Sequence, residues 1–326
     1  MKTLVIGGTQ FVGLHLVYEL VARGHDVTVL NRGMTKASLP PGTKRLVCDR
    51  KEHEALRTCL RGKEYDAVFD IMAYVPEDTI PLVDIFKGRV GRFVHVSTAS
   101  VYKFANVFPW KEHFECVTDA KEGEYGYRKR QIEHILLDAY ESHGFPASII
   151  RPGYIFGPNN PVYREAMFFD RVVKNRPVLL PGNGNTLIQF GYVGDLARLL
   201  ILAAEKHEAV GETFNFAGEL AYTFDDYAKS IFDAVGRPGQ IVHFEPREYA
   251  LQPAEVAKVF PYIWQQHLII DSSKAHYVLG YTEQVSLVEG LREAYKWYVQ
   301  ENVERTCLDT SLEDEIIRQQ TQATSS

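Results

Sequence analysis

The sequence predicts an α/β protein, in which a doubly wound parallel sheet is accompanied by a smaller C-terminal substrate-binding region. Short apolar segments rich in β-branched residues alternate with amphipathic helical segments through the first half of the chain. A glycine-rich turn joins the first apolar segment to the first helical one. Since parallel strands need a crossover connection, usually a helix, this alternation favours a parallel sheet covered on both faces.

Six strands and four helices are predicted in this half of the chain. The strands are expected at residues 3–6, 26–30, 45–48, 67–71, 92–96 and 147–150. The helices are expected at residues 11–23, 51–60, 79–86 and 125–142, and Gly24 is placed to end the first of them. After Arg151, proline and glycine cluster at residues 157–161 and 177–184, and the regular alternation stops.

The length of 326 residues suggests about two domains. We expect residues 1–156 and 186–220 to form the sheet domain. Residues 157–185 and 221–309 are expected to form the smaller substrate-binding region, closing over the carboxyl edge of the sheet. Residues 310–326 are polar, with few large apolar side chains, and are expected to be a frayed tail.

The composition excludes several classes of protein. With 45% hydrophobic and 24% charged residues, most of the chain is expected to fold. The net charge of −6 disfavours a general polyanion binder, so nucleic acid is not an expected partner. The four cysteines form no CxxC pair, which predicts no metal site and a reducing compartment. No apolar run is long enough for a signal peptide or a membrane span, and a cytoplasmic location is therefore expected.

The glycine-rich turn predicts a dinucleotide cofactor. It comprises Gly7, Gly8, Thr9, Gln10, Phe11, Val12 and Gly13, between a predicted strand and a predicted helix. Glycines permit a tight turn and a close approach of the backbone to a pyrophosphate, and the helix N-terminus offers free N–H groups. Gln10 stands where the usual spacing has the middle glycine. A plain strand-to-helix turn is the alternative.

The end of the second strand bears on the choice between NAD and NADP. An acidic residue here would bind the ribose 2′-hydroxyl of NAD, but the sequence has Asn31 and Arg32. Arg32 could pair with a 2′-phosphate, which favours NADP, or it could be a solvated loop cation. Asp49 and Arg50 follow the third strand and could flank the adenine, and Asp49 could equally cap the next helix.

Tyr125 and Lys129 are the candidate acid/base pair. They are four residues apart in a predicted helix and so share one face. A tyrosine has a pKa near ~10, and a neighbouring ammonium group would lower it towards neutrality. The fifth strand ends in Ser97 and Thr98, whose hydroxyls are placed to bind a substrate oxygen. The alternative is that Tyr125 has no catalytic role and is simply a half-buried residue at the start of a helix.

These motifs together resemble the extended short-chain dehydrogenase/reductase superfamily, in its NAD-dependent epimerase/dehydratase group. The likeness extends from Met1 to about Gln300 through GGTQFVG, STASVY, YGYRK, RPGYIFGP, FGYVGDLA and IIDSSKAHYVLGY. It implies a Rossmann-like sheet, with Tyr125 as acid/base, Lys129 on the nicotinamide ribose and Thr98 on the substrate oxygen. It also implies that Pro152 and Gly153 lie beside the nicotinamide. Met72 and Ala73, after the fourth strand, are further expected cofactor contacts.

The second half is similar to an atypical branch related to chloroplast stem-loop-binding proteins. The segments VFPYIWQQHLIIDSSKAHYVLGY and FNFAGELAYTFDDYAK carry this likeness. Plant members of that branch have diverged at YxxxK, whereas this chain retains it, which favours an enzyme. An RNA-binding module with a relic site is the alternative of another class. The resemblance also allows a homodimer formed through the helix that carries YxxxK.

The expected substrate is a sugar or a nucleotide-sugar-like compound. Nucleotide-sugar enzymes of the superfamily usually have an arginine in each of two segments that here span residues 187–190 and 264–267, and neither segment contains a cation. A diphosphate would lose charge-assisted hydrogen bonds there. The predicted function is therefore an NAD(P)-dependent epimerase/dehydratase-type enzyme, and the alternative is an NADP(H)-dependent reductase of a small-molecule carbonyl with a dissociable cofactor.

Overall fold

The computed structural model describes residues 1–303 and 310–325, and side chains as far as residue 320. The chain divides into two units. The first comprises Met1–Ile155, Gly191–Glu219 and Ile270–Gln284, and the second comprises Phe156–Phe190, Leu220–Ile269 and Val285–Ser326, apart from the positions not described. Among the described residues, no helix is long and apolar enough to cross a membrane.

The first unit is built on a parallel sheet of seven strands. In chain order its elements are β1 (Lys2–Ile6), α1 (Phe11–Ala22), β2 (Asp26–Asn31), β3 (Lys44–Val47), α2 (His53–Leu60), β4 (Tyr65–Asp70), α3 (Pro76–Phe86), β5 (Val90–Val96), α4 (Glu124–His143) and β6 (Ala147–Pro152). The strand order is β10-β6-β5-β4-β1-β2-β3, where β10 is Thr213–Phe216. The predicted doubly wound parallel sheet is confirmed, with element ends shifted by a few residues.

Burial of apolar side chains on both faces holds this sheet together. β1, β2, β4 and β6 are nearly continuous runs of buried residues, as expected where helices cover both faces. α2, α3 and α4 contribute to the core on one face, whereas α1 packs against α6 (Val193–Glu205). Gly144 ends α4 in the left-handed conformation, which glycine adopts without steric cost.

The remaining chain forms short strands and helices of varied length. They are β7 (Tyr154–Phe156), α5 (Glu165–Val173), β8 (Val178–Pro181), β9 (Leu187–Tyr192), β11 (Ala221–Thr223), α7 (Phe224–Val235), β12 (Ile241–Phe244), α8 (Pro253–Val256), α9 (Ser273–Leu279), α10 (Leu287–Gln300) and α11 (Ser311–Ser325). β11 pairs antiparallel with β9, and β12 pairs parallel with β8. Aromatic side chains, among them Phe168, Tyr227 and Tyr262, pack together in the core of the second unit.

Three segments differ from expectation. Residues 186–190, which we expected in the sheet domain, belong to the second unit, as do the boundary residues 156 and 220. Ile270–Gln284 belongs to the first unit, because Asp271 donates its N–H to the Trp110 carbonyl and Lys274 pairs with Glu212. Residues 311–325 form a helix rather than the frayed tail that we expected. Ile316 is buried in the second unit, and Glu313 forms buried ion pairs with arginines there, which explains why this polar segment is ordered.

Candidate functional site

The glycine-rich turn follows β1 and has the shape that a pyrophosphate requires. Gly7 has φ of +95°, and its N–H donates to the Leu30 carbonyl over 3.1 Å. A Cβ on Gly13 would lie 2.1 Å from the Gly7 carbonyl oxygen, so α1 and the turn approach each other closely. A tight turn and close packing of the helix are two of the roles that glycine has in dinucleotide-binding turns.

The N-terminus of α1 is open to an anion. Gln10 precedes the helix and is exposed, with an extended backbone and no side-chain cap on the first turn. The first turn also contains no acidic residue. Phe11 has φ of +39°, while the Thr9 and Val12 side chains are buried, so this part of the turn would bind a ligand through its backbone. The free N–H groups and the helix dipole together fit a pyrophosphate.

Asn31 lies at the end of β2, where the adenosine ribose is expected. Its Oδ1 accepts the Gly33 N–H over 2.8 Å. Its Nδ2 is buried, and among the residues that the structure describes none accepts a hydrogen bond from it. Such a donor suits a ribose oxygen or a phosphate. Arg32 is exposed beside it.

The two residues after β3 have local partners. Asp49 accepts the Lys51 N–H over 3.0 Å, as a residue at a turn. Arg50 donates to both carboxylate oxygens of Asp70 over 2.7 and 3.1 Å, and to the Asp78 carbonyl over 2.8 Å. Arg50 therefore links the end of β4 to the start of α3, a role that the sequence did not indicate.

The segment after β4 lies against both the turn and the candidate catalytic lysine. A Cβ on Gly7 would lie 2.0 Å from Cγ of Met72, so the Met72 side chain covers the turn. The carbonyl of the buried Ala73 accepts a hydrogen bond from Lys129. Met72 and Ala73 are thus brought to the predicted site.

A close contact between α4 and the end of β5 positions Tyr125. A Cβ on Gly126 would lie 1.9 Å from the Ser100 carbonyl oxygen, so only glycine permits this approach. Thr98 begins the turn after β5, and its Oγ1 accepts the Ser100 N–H over 3.1 Å. Tyr125, next to Gly126, is 47% exposed and is therefore accessible to a substrate.

Lys129 is 2% exposed, one helical turn after Tyr125. Its Nζ donates to the Ala73 carbonyl over 2.7 Å and to the Val96 carbonyl over 2.6 Å. Burial lowers the pKa of Lys129 to about 8, although the nearby Asp70 and Glu133 carboxylates favour the charged form. The ammonium is held rigidly at the carboxyl ends of β4 and β5.

Pro152 and Gly153 lie at the same edge of the sheet. Pro152 ends β6, and the Gly153 N–H donates to the Phe216 carbonyl over 2.9 Å. The Ser97 N–H donates to the Ile150 carbonyl, which aligns the end of β6 with the end of β5. The structure therefore gathers the glycine turn, Met72, Ala73, Thr98, Tyr125, Lys129 and this pair along the carboxyl ends of adjacent strands.

A buried network behind α4 was not anticipated from the sequence. Glu133 accepts hydrogen bonds from Ser97 over 2.6 Å, from Arg130 over 2.8 Å, and from Arg151 over 2.9 and 2.7 Å. Burial alone would raise the pKa of Glu133, but Arg151 and the other donors lower it below its usual value. Arg151 also donates to the Tyr102 hydroxyl over 3.1 Å. The one feature of the sequence that could have indicated this network is the position of Glu133, one helical turn after Lys129.

In the second unit, residues 187–190, the first of the two segments without an arginine or lysine, are mostly buried. Ile188, Gln189 and Phe190 have almost no exposed surface. Residues 264–267, which include Trp264 and His267, also contain neither arginine nor lysine. His267 accepts the Leu187 N–H through Nδ1 over 2.9 Å.

Comparison with known proteins supports the class that this fold and site indicate. The model of the NAD dependent epimerase/dehydratase family matches residues 3–217. The chloroplast stem-loop binding protein of 41 kDa b from Arabidopsis thaliana is 33% identical over 308 residues, covering 90% of this chain and 78% of that protein. The dTDP-glucose 4,6-dehydratase of an Actinoplanes species is 25% identical over 340 residues, covering 91% of this chain and 98% of that protein.

Solved structures show the same fold. The UDP-glucose 4-epimerase of Thermotoga maritima, crystallised with UDP-glucose, superposes with a TM-score of 0.77 at 22% identity, covering 93% of this chain and all of that one. The chain belongs to the NAD dependent epimerase/dehydratase family, and it is an enzyme of that NAD-dependent type. The resemblance inferred from its motifs is confirmed.

Proposed function

We propose that the protein transfers a hydride between a sugar-type substrate and a nicotinamide cofactor, with Tyr125 as acid/base. The observation that carries this proposal is the buried Lys129 ammonium, fixed by the Ala73 and Val96 carbonyls. It shares a face of α4 with the exposed Tyr125, one turn away. The open N-terminus of α1, at the other end of the same edge, suits the cofactor pyrophosphate.

The chain's own residues supply proton transfer and orientation. A nicotinamide cofactor held by the glycine-rich turn and Lys129 would supply the hydride acceptor for the substrate carbon that bears the reacting hydroxyl. Tyr125, as the tyrosinate, takes the proton of that hydroxyl and becomes the neutral phenol, while the substrate carbon loses a hydride and becomes a carbonyl, so charge and protons balance. The positive charge of Lys129 stabilises the tyrosinate by electrostatic attraction. Thr98 donates to the substrate oxygen. Return of the hydride and proton to the same substrate gives an epimerase or a dehydratase, depending on the intervening step.

A reductase with a dissociable cofactor is the second candidate. The buried apolar side chains of Ile188 and Phe190, and the lack of a cation at residues 264–267, favour a substrate without a diphosphate. We therefore propose two classes of substrate: a nucleotide sugar, and an unactivated sugar or related carbonyl compound. The buried Nδ2 donor of Asn31 and the exposed Arg32 support a preference for NADP(H).

One measurement separates the two candidates. Purified, gel-filtered protein is denatured, and any released nucleotide is identified by mass and absorbance. Stoichiometric NAD⁺ or NADP⁺ supports internal recycling of the hydride, as in an epimerase or a dehydratase. Empty protein that binds NADPH or NADH on titration supports the reductase. Protein that neither carries nor binds a dinucleotide contradicts both.

RNA binding is the remaining candidate of another class, since one relative is named as a stem-loop binding protein. The net charge of −6 argues against it. A filter-binding assay with structured RNA tests the idea, since phosphate contacts make such binding weaken steeply with salt. Tight, salt-sensitive binding would favour the RNA-binding module. A homodimer and a cytoplasmic location stay predictions.

A further inference from the structure

Tyr74 lies in the segment between β4 and α3, and its backbone is fixed. Its N–H and that of Val75 both donate to Oδ2 of Asp78, over 2.9 and 3.3 Å. Arg50 donates to the Asp78 carbonyl over 2.8 Å. This short loop is therefore anchored at two points, and the position of the Tyr74 side chain follows from a rigid backbone.

The Tyr74 ring contacts both candidate catalytic residues. Its centroid is 6.4 Å from that of the Tyr125 ring, and the Lys129 Nζ lies 5.6 Å from it, within range of a cation–π attraction. Nevertheless 48% of Tyr74 is exposed. An aromatic ring that touches two functional residues and still faces solvent leaves a surface for a ligand.

The other end of Tyr74 points towards the glycine-rich turn. Its hydroxyl lies 3.9 Å from Sδ of Met72, and the Met72 side chain covers Gly7. Burial raises the pKa of Tyr74, so this hydroxyl is a neutral group. Met72 and Tyr74 thus form a continuous strip from the turn to the Tyr125–Lys129 pair.

Most of the hydrogen-bonding capacity of Lys129 is already used within the described residues. An ammonium group has three donors, and two of them bond to the Ala73 and Val96 carbonyls. One N–H remains for a ribose hydroxyl. The Met72–Tyr74 strip connects the glycine-rich turn, where the pyrophosphate is proposed to bind, to this donor, which the second ribose of a dinucleotide would reach.

We propose that Tyr74 is a cofactor-binding residue, whose ring packs against the ribose and nicotinamide of the bound dinucleotide. This inference rests on the proposed function, and it assigns a residue that no sequence motif marks. It predicts that Tyr74 contributes to binding of the nicotinamide half of the cofactor but not of its adenosine diphosphate half.

Calorimetric titration of nucleotide-free protein with NADH, NADPH and ADP tests the proposal. ADP has the adenosine and diphosphate but lacks the second ribose and the nicotinamide. In Tyr74→Ala we expect the Kd of the preferred reduced dinucleotide to rise about tenfold, and that of ADP to stay within about twofold. Tyr74→Phe retains the ring and should bind as the wild type does. Tyr18→Ala is the matched control, since Tyr18 lies on α1 and is also 48% exposed.

Each outcome is decisive. Unchanged binding of the reduced dinucleotide by Tyr74→Ala overturns the inference alone. An equal loss of dinucleotide and ADP binding also overturns it, because that result indicates a general disturbance of the loop. Wild-type protein that binds neither NADH nor NADPH overturns the proposed function, and the inference with it.

Discussion

Gly126 and Ser100 are in contact through their backbones: a Cβ on Gly126 would lie 1.9 Å from the Ser100 carbonyl oxygen. This contact sets how far α4 stands from the end of β5, and so where Tyr125 lies relative to Thr98. The arrangement of the candidate acid/base and hydroxyl groups therefore has a steric origin in this chain, since a larger residue at position 126 would separate them.

Gly126→Ala should destabilise the protein by about 1–3 kcal/mol and lower turnover, because the methyl group must push α4 away from the turn. Helix propensity alone predicts the opposite, a gain of about 1 kcal/mol. Urea unfolding gives the sign directly. Glu141→Ala, an exposed site on the same helix, is the control and should change little. A stabilised Gly126→Ala variant would show that the helix can move without cost.

Tyr125→Phe should lower turnover at least about a hundredfold while leaving dinucleotide binding intact, since only the proton-transferring hydroxyl is removed. Tyr127→Phe is the matched control two residues away on the same helix. The measurement is steady-state turnover together with the Kd of the reduced dinucleotide. Turnover like that of the wild type would remove Tyr125 from the mechanism.

Lys129 should make stability depend on pH. Its ordinary pKa is 10.5, and burial lowers the pKa to about 8 in the folded protein. Between these values the unfolded chain binds more protons than the folded one, so the contribution of Lys129 to the free energy of unfolding increases with pH. Below this window, at a pH under about 8, Lys129 is protonated in both the folded and the unfolded chain, and the free energy of unfolding carries the full cost of burying the charge.

The check is the difference in unfolding free energy between the wild type and Lys129→Met, which has no titrating group. That difference should rise by up to about 3 kcal/mol as the pH increases through the window. Urea unfolding at several pH values measures it. A difference that does not vary with pH would mean that the ammonium is solvated in the folded protein.

Glu133→Gln should destabilise the protein by about 3–5 kcal/mol, because Arg151 then remains buried without its carboxylate. Glu124→Gln removes the exposed partner of Arg128 on the same helix and should cost less than about 1 kcal/mol. Thermal and urea unfolding compare the two variants. Similar small effects would show that water reaches the Arg151 guanidinium.

Asn31→Asp should shift the preference from NADP(H) towards NAD(H) by about tenfold or more. A carboxylate accepts a ribose 2′-hydroxyl but repels a 2′-phosphate. Arg32→Gln should weaken NADPH binding and leave NADH binding unchanged. Titration with both reduced dinucleotides measures these ratios, and a preference that neither substitution alters would place the adenosine ribose elsewhere.

Local patterns predicted much of the first unit. Strand alternation and the four-residue spacing of Tyr125 and Lys129 depend only on backbone periodicity, and both are found in the structure. The pairing of Arg50 with Asp70 and the approach of Gly126 to Ser100 are tertiary contacts between residues far apart in the chain. The expected place of Arg50 beside the adenine stays a prediction, and its bond to Asp70, twenty residues further along the chain, could not be read from local patterns.

The polar C-terminal segment failed as a prediction for a related reason. Its composition indicates fraying when the segment is considered alone. Glu313, however, pairs with Arg171 and Arg176, which precede it by more than a hundred residues, and Ile316 is fully buried. Formation of this helix depends on tertiary contacts with residues that are distant in the sequence.

The uncapped first turn of α1 also has a consequence for the protein in the cell. In the proposed function a bound dinucleotide would supply hydrogen-bond partners to the N–H groups of this turn, so we expect the occupied protein to be the more stable form. A ligand whose free concentration is about a hundred times its Kd adds about 2.7 kcal/mol to the free energy of unfolding. Chaperones and proteases act on the unfolded fraction. We therefore expect this protein to be degraded more slowly, and to be more abundant, when its nucleotide is plentiful.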